Sequence, residues 1–189
     1  AVPADTSTIL KFAFPLMGAV LAMALLRNIN TLFIKSFLGD NTLVALYTAA
    51  FTISNVSYLV FTALPLTITP AVSQAVSDNN TALVQKYISL SLRYALLLLL
   101  PLCALIAATA SNLLSWLYPS SYAEAGPLLV ILIFGSTFLI LFSTLLSIIT
   151  AGGKPKMELF FSVLFLGILI LLNFILIPNH GLIGSAYAQ

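Results

Sequence analysis

Charge is scarce in this sequence. Only 6% of the 189 residues are Asp, Glu, Lys or Arg, whereas soluble domains carry about 25%. Hydrophobic residues make up 61% of the chain and the mean hydropathy is +1.13. A water-soluble domain can form its core with a much smaller fraction of apolar residues. The composition therefore predicts an all-α, polytopic membrane helix bundle.

Other residue types and motifs that are rare or absent narrow the range of possible functions. Cys103 is the one cysteine, so neither a disulfide framework nor a thiolate metal site is available. The acidic residues lie in loops or near the termini, and no glycine-rich phosphate loop of the Walker type occurs. We expect no enzyme, no metal and no cofactor. The net charge of +2 is too small and scattered to suggest a nucleic-acid partner.

Long apolar segments fill most of the chain. Each is long enough to cross a bilayer, and turn or cap residues separate them. The five predicted spans cover residues 9–37, 42–72, 87–117, 125–151 and 157–177. A sixth begins after Gly181 and is cut at Gln189. With Ala1 in place of an initiator Met and no signal-peptide pattern, we expect an excerpt of a longer protein, truncated within its sixth helix.

The cations are distributed unevenly among the loops between these spans. Lys35 is the one cation near the opposite loops. The other five fall on one side of the predicted membrane: Lys11, Lys86, Arg93, Lys154 and Lys156. The positive-inside rule places that side, together with the amino terminus, in the cytoplasm of a cell-membrane protein.

Arg27 is the most unusual residue, because it lies inside an apolar segment. If Lys35 marks the outer boundary, Arg27 lies about 12 Å deeper, and cations at that depth usually face a bundle interior or a watery cavity. Asn28, Asn30 and Lys35 share one broad face of the helix with it. The alternative is that the first helix stops at residue 26, which leaves Arg27 in an interfacial loop.

The second span carries a polar stripe of its own. Thr48, Thr52 and Asn55 recur at helical spacing with Tyr58 close by, so two stripes could line one cavity. The same hydroxyls could instead serve only in helix packing. Pro65 and Pro70 predict a bend near the cytoplasmic end of this span.

Several short motifs resemble one family in their order and spacing. They are Asn-Ile-Asn at 28–30, Phe-Leu-Gly-Asp at 37–40, and the segments 46–50, 122–125, 150–156, 172–178 and 181–186. Together they resemble one lobe, closest to the carboxy-terminal lobe, of the polysaccharide-biosynthesis flippases. The superfamily also holds lipid II flippases and the multidrug and toxin extrusion transporters. Asn30 departs from the acidic residue of many relatives, which weakens any inference of cation coupling.

The resemblance implies one lobe of a two-lobe transporter that flips a lipid-linked oligosaccharide or polysaccharide precursor by alternating access. Its partners would be that substrate, membrane lipids and a missing amino-terminal lobe. Arg27 would contact the anionic phosphate, with Lys35 as a weaker second contact. The hydrogen-bonding residues lining the cavity would be Asn28, Asn30, Asn55 and Tyr58. A cation-coupled multidrug exporter and a non-transporting scaffold for glycan-synthesis enzymes remain alternatives.

The loop charges generate a test of orientation. Cysteines introduced at Ser121 and Asn179 should react with a membrane-impermeant reagent added outside intact cells, and a cysteine at Gly153 should react only after permeabilisation. Native Cys103 is replaced first, so that each signal comes from one site. Labelling of the Gly153 position in intact cells would reverse the predicted orientation.

Overall fold

Seven α-helices and one 3₁₀ helix make up the described part of the chain, which holds no strand. The computed structural model describes the backbone of residues 6–61 and 63–189, and their side chains apart from those of 6–9, 60 and 63–65. The helices are α1 (Thr6–Leu38), α2 (Asn41–Phe61), α3 (Ala63–Ser77), α4 (Thr81–Ala108), α5 (Ala110–Leu117), a 3₁₀ helix (Ser120–Ala125), α6 (Gly126–Ala151) and α7 (Pro155–Ala188).

This architecture confirms the expected membrane fold. Five helical stretches are long and apolar enough to cross a bilayer. Large hydrophobic side chains lie on the outside of the bundle, among them Phe14, Phe138 and Leu66, each more than 70% exposed. Such a surface would aggregate in water and is what a helix bundle presents to lipid.

Helix α1 runs without a break past Arg27 to Leu38. The alternative of a helix that stops at residue 26 is therefore wrong. Asn28 donates to the carbonyl of Ala24, one turn back, over 2.8 Å. The first predicted span is thus a single helix with its polar residues on it.

One predicted span is interrupted within the described residues. The third span is divided at Thr109, whose hydroxyl donates to the carbonyl of Leu105 over 2.8 Å. The sequence analysis did not predict this interruption. The second predicted span covers α2 and α3. Thr62 and the side chain of Pro65 lie outside the described residues, and Pro70 lies inside α3.

Pairs of neighbouring helices fix the chain direction. Helices α1 and α7 run parallel, because Gly18 lies against Leu159 near their starts and Asn30 meets Asn173 further along. Helices α4 and α5 run antiparallel to α6, because Cys103 on α4 contacts Thr137 and Ser111 on α5 lies against Gly126. The chain therefore alternates in direction from span to span. The cations Lys11, Lys86, Arg93, Lys154 and Lys156 all lie toward one end of the bundle.

Helix α6 is the centre of the bundle. It packs against α2, α3, α4, α5 and α7. Its buried face carries Leu129, Leu132 and Ile133, and it also buries the hydroxyls of Ser136 and Thr144. The Ser136 hydroxyl donates to that of Ser54 on α2 over 3.2 Å. Small hydroxyl residues allow membrane helices to approach closely and to bond across the interface.

Helix α7 reverses direction at Gly181. The φ of +58° and ψ of −136° at this residue are not helical. Beyond it, Gly184 lies against the carbonyl of Leu176, and Ala188 joins a cluster with Leu169. A straight helix would separate residues 169 and 188 by about 28 Å. Residues 182–188 therefore fold back into the bundle as the start of a sixth helix.

Gly181 should be required for this reversal. Gly181→Ala places a Cβ on a backbone conformation that L-residues disfavour, so we expect a loss of about 1–3 kcal/mol in stability. The matched control is Gly167→Ala on the same helix, where a Cβ meets no atom within 4 Å. Denaturation in mixed micelles compares the two. Equal stability of both variants would show that the turn does not depend on glycine.

Candidate functional site

Arg27 is held between α1 and α2 by two uncharged groups. Its Nη2 donates to Oδ1 of Asn55 over 3.3 Å, and its guanidinium carbon lies 3.9 Å from the centre of the Tyr58 ring. Three residues that the sequence analysis singled out, Arg27, Asn55 and Tyr58, thus form one cluster. The stacking on Tyr58 is a cation–π contact, which gains strength where water is excluded.

Helical periodicity explains the geometry of this cluster. Asn55 and Tyr58 are three residues apart and therefore lie on one side of α2. The guanidinium is half-buried, as are Asn55 and Tyr58. Five N–H groups give arginine more donors than one amide oxygen can accept. The guanidinium therefore has donors available for an anion.

The described carboxylates lie away from Arg27. Asp40 accepts from the backbone N–H of Thr42 over 2.7 Å in the turn before α2. Glu158, at the start of α7, accepts from the hydroxyl of Thr150. Asp78 and Glu124 are exposed in connections between helices. The charge of Arg27 therefore has no carboxylate counter-ion within the described part of the chain.

Lys35 and Asn28 lie apart from this cluster. Both are exposed, and Lys35 is in the last turn of α1, eight residues or about 12 Å beyond Arg27. The amide of Asn28 bonds within its own helix. Lys35 therefore lies nearer the end of the bundle than the Arg27 cluster.

Asn30 belongs to a buried polar chain. The Nδ2 of Asn173 donates to Oδ1 of Asn30 over 2.8 Å, and Nδ2 of Asn30 donates to the Tyr47 hydroxyl over 3.1 Å. That hydroxyl donates to Oε1 of Gln189 over 3.0 Å. We call these four residues the amide chain. Asn30 is only 2% exposed, so it lies within the packed interior rather than on an open cavity wall.

Apart from Asn30, the sequence analysis did not predict the residues of the amide chain. A signal was present: Asn173 stands alone in a run of Leu, Ile and Phe, and a lone amide in a spanning helix needs a partner. Its partners, however, come from α1, α2 and the residues beyond Gly181. Only the contact with Gln189 depends on the reversal of the chain there.

The polar stripe of α2 serves two purposes in the structure. Thr48 and Thr52 are exposed, and each hydroxyl donates over 2.7 Å to a carbonyl one turn back. Ser54 and Tyr47, on the other side of the helix, are buried and bond to neighbouring helices. Helix packing thus accounts for Ser54 and Tyr47, while Thr48, Thr52 and Asn55 face away from that interface.

The bundle also contains an apolar groove between α6 and α7. It has a volume of about 470 Å³ and is lined by Phe134, Phe138, Phe142, Phe165 and Leu172, with residues 186–189 at one side. No charged side chain lines it among the described residues. Within the described residues there is no cluster of three or more His, Cys, Asp or Glu side chains that could hold a metal ion. The groove is suited to an apolar occupant, not to an anion.

Comparisons with known proteins agree with the membrane fold. The family model described as MatE matches residues 15–175. An uncharacterized membrane protein of Methanocaldococcus jannaschii, MJ1068, is 32% identical over 95 residues, which are 49% of this chain and 18% of the relative. The chain thus matches only a minor part of the length of this relative. No solved structure matches.

The amide chain should contribute to stability. Tyr47→Phe removes the central hydroxyl and leaves a donor and an acceptor buried without a partner, so we expect a loss of about 1–3 kcal/mol. Thr48→Val is the control, because that exposed hydroxyl bonds only within α2. Both are measured by denaturation in mixed micelles. Unchanged stability of Tyr47→Phe would show that the hydroxyl is dispensable for packing.

Proposed function

We propose that this chain, which belongs to the MatE family of membrane transporters, is part of a flippase for a lipid-linked oligosaccharide or polysaccharide precursor. Membership of this family supports transport, not enzyme catalysis, as the general activity. The finer assignment rests on one observation, the arginine held by neutral partners inside a spanning helix. The substrates that fit are lipids whose glycan is joined through a phosphate.

The proposal follows from how Arg27 is held. An ionised arginine in an apolar bundle is costly unless it has a partner or a function. Asn55 and Tyr58 orient the guanidinium without neutralising it. A phosphate provides the missing negative charge and matches the planar fork of arginine with two oxygens. The remaining N–H groups would bind the phosphate while Tyr58 stays stacked.

The position of Lys35 suggests an ordered path for the anion. It lies at the end of α1 beyond Arg27, on the side where the loops carry few cations. We propose that the phosphate contacts Arg27 within the bundle and Lys35 nearer the exit. Asn28, exposed one residue from Arg27, would provide a hydrogen bond along this path. Asn30 would act through the amide chain by fixing α1 against α2 and α7.

The two-lobe architecture is part of the same proposal. A sixth helix that continued beyond Gln189 would fit the apolar groove between α6 and α7, since residues 186–189 already line one side of it. Five spans and this sixth helix would complete one lobe. A second lobe, amino-terminal in the chain, would then close the cavity around Arg27 and permit alternating access.

A multidrug exporter of the same family is the main competing function. An exporter of cationic drugs is best served by a carboxylate inside the membrane. The described carboxylates lie instead in connections or at helix starts. This distribution is why we favour an anionic substrate, and transport assays with both substrate classes distinguish the two functions.

Removing the guanidinium should impair flipping. In the complete protein, Arg27→Ala should lower the rate of lipid-linked glycan translocation about 10- to 100-fold, because a charge-assisted hydrogen bond is worth about 1.5–3 kcal/mol. Arg27→Lys should restore part of the rate, since lysine keeps the charge but loses the planar fork. The assay follows the appearance of the glycan on the far side of reconstituted vesicles.

Arg93→Ala is the matched control, because it removes the same charge from an exposed site on α4. Protein abundance and melting temperature are measured for every variant, since the loss of a half-buried cation can itself change stability. Full translocation by a stable Arg27→Ala protein would refute the assignment. Export of cationic drugs by the unaltered protein, with no translocation of the glycan lipid, would favour the exporter.

A further inference from the structure

Three lysines from distant parts of the chain line one cavity at the end of the bundle. Lys11 comes from the start of α1, and Lys154 and Lys156 flank the start of α7. The cavity has a volume of about 420 Å³, and its apolar wall is formed by Phe12 and Met157. We call it the lysine cavity. It lies far along α1 from Arg27 and has no part in the proposed flipping site.

The parallel packing of α1 and α7 brings these lysines together. Gly18 allows the close contact with Leu159, and the starts of both helices extend from this point toward the same end of the bundle. Loop lysines that serve only to orient a protein in the membrane need not share a cavity. Here three lysine residues line one space, and no acidic residue is among the described residues that line it.

The acidic residue nearest in sequence is Glu158, in the first turn of α7. Glu158 accepts from the hydroxyl of Thr150 on α6 and is not among the described lining residues. Helix α7 also begins here, with Pro155 in its first turn and no side-chain cap from Lys154. The positive end of the helix dipole therefore adds to the charge of the three lysines.

We propose that the lysine cavity binds the phosphate headgroup of an anionic glycerophospholipid. The cavity lies where α1 and α7 leave their apolar stretches, which is the level of lipid headgroups. Lys11, Lys154 and Lys156 match the phosphate charge, while Phe12 and Met157 match the glycerol and the first acyl carbons. Free phosphate offers no apolar part, and salt screens its attraction to exposed charges. A membrane lipid is therefore the occupant to which we commit.

The test measures lipid binding by the complete protein in an uncharged detergent. Thermal unfolding is followed while short-chain phosphatidylglycerol, phosphatidylcholine or inorganic phosphate is added. Phosphatidylglycerol should raise the melting temperature at lower concentration than phosphatidylcholine. Each lysine lost should weaken the apparent affinity about fivefold, from about 1 kcal/mol per cation near a membrane surface. Lys154→Gln with Lys156→Gln should therefore weaken it about 25-fold.

A charge-matched pair provides the control. Lys86→Gln with Arg93→Gln removes two cations from the same end of the bundle, both exposed and outside the cavity, and should leave the affinity unchanged. Lys154→Arg with Lys156→Arg should retain binding, and Lys11→Gln tests the lysine from α1 separately. All three lysines are exposed, so the substitutions should not prevent folding.

Three results would overturn the proposal. Equal loss in both double glutamine variants would show that binding is general surface attraction. Equal stabilisation by inorganic phosphate and phosphatidylglycerol would show a free-anion site instead of a lipid site. No preference for phosphatidylglycerol over phosphatidylcholine would show that the cavity selects no anionic headgroup.

Discussion

Polar groups in this bundle must find partners within the protein, because the apolar part of a bilayer offers none. This constraint explains why the outside is Leu and Phe while the interior contains Asn, Ser, Thr and Tyr. Ser54 and Ser136 join α2 to α6, and the amide chain joins α1, α2 and α7. Lipid tails are as apolar as the side chains on the outside of the helices, so the hydrophobic effect does not drive the helices together. Their packing depends instead on these hydrogen bonds and on small residues at the contacts.

The reversal at Gly181 completes this interior. It returns residues 182–188 to the bundle, so that Ala186 enters the main core cluster and Gln189 accepts from Tyr47. Without it, Tyr47 would lose the acceptor for its hydroxyl. The same hairpin forms one side of the apolar groove beside α6. A single backbone conformation thus connects the position of the sixth helix with the acceptor of the buried Tyr47 hydroxyl in the second span.

Arg27 and the lysine cavity share one electrostatic feature. In each, the cations have neutral neighbours: Asn55 and Tyr58 contact Arg27, and Phe12 and Met157 line the same cavity as the lysines. Ion pairs with carboxylates would have satisfied these charges internally and left little attraction for a ligand. The two sites differ in depth, since Arg27 lies within α1 and the lysines lie at the helix starts. We interpret them as separate sites for phosphate-bearing lipids, one for transported substrate and one for resident lipid.

The sequence by itself determined the helical membrane fold, the five crossings and the face that Arg27 shares with its neighbours, because hydropathy and helical periodicity are local properties. It did not predict the interruption at Thr109, where the threonine hydroxyl bonds to Leu105 at the end of α4. Only the tertiary structure decided which polar residues meet. Asn30 and Arg27 lie on one broad helical face, yet Asn30 is buried against Asn173 while Arg27 reaches Asn55. The physical reason is that helix packing brings α7 and α2 against α1, so that Asn30 meets a partner 143 residues away and Arg27 meets one 28 residues away.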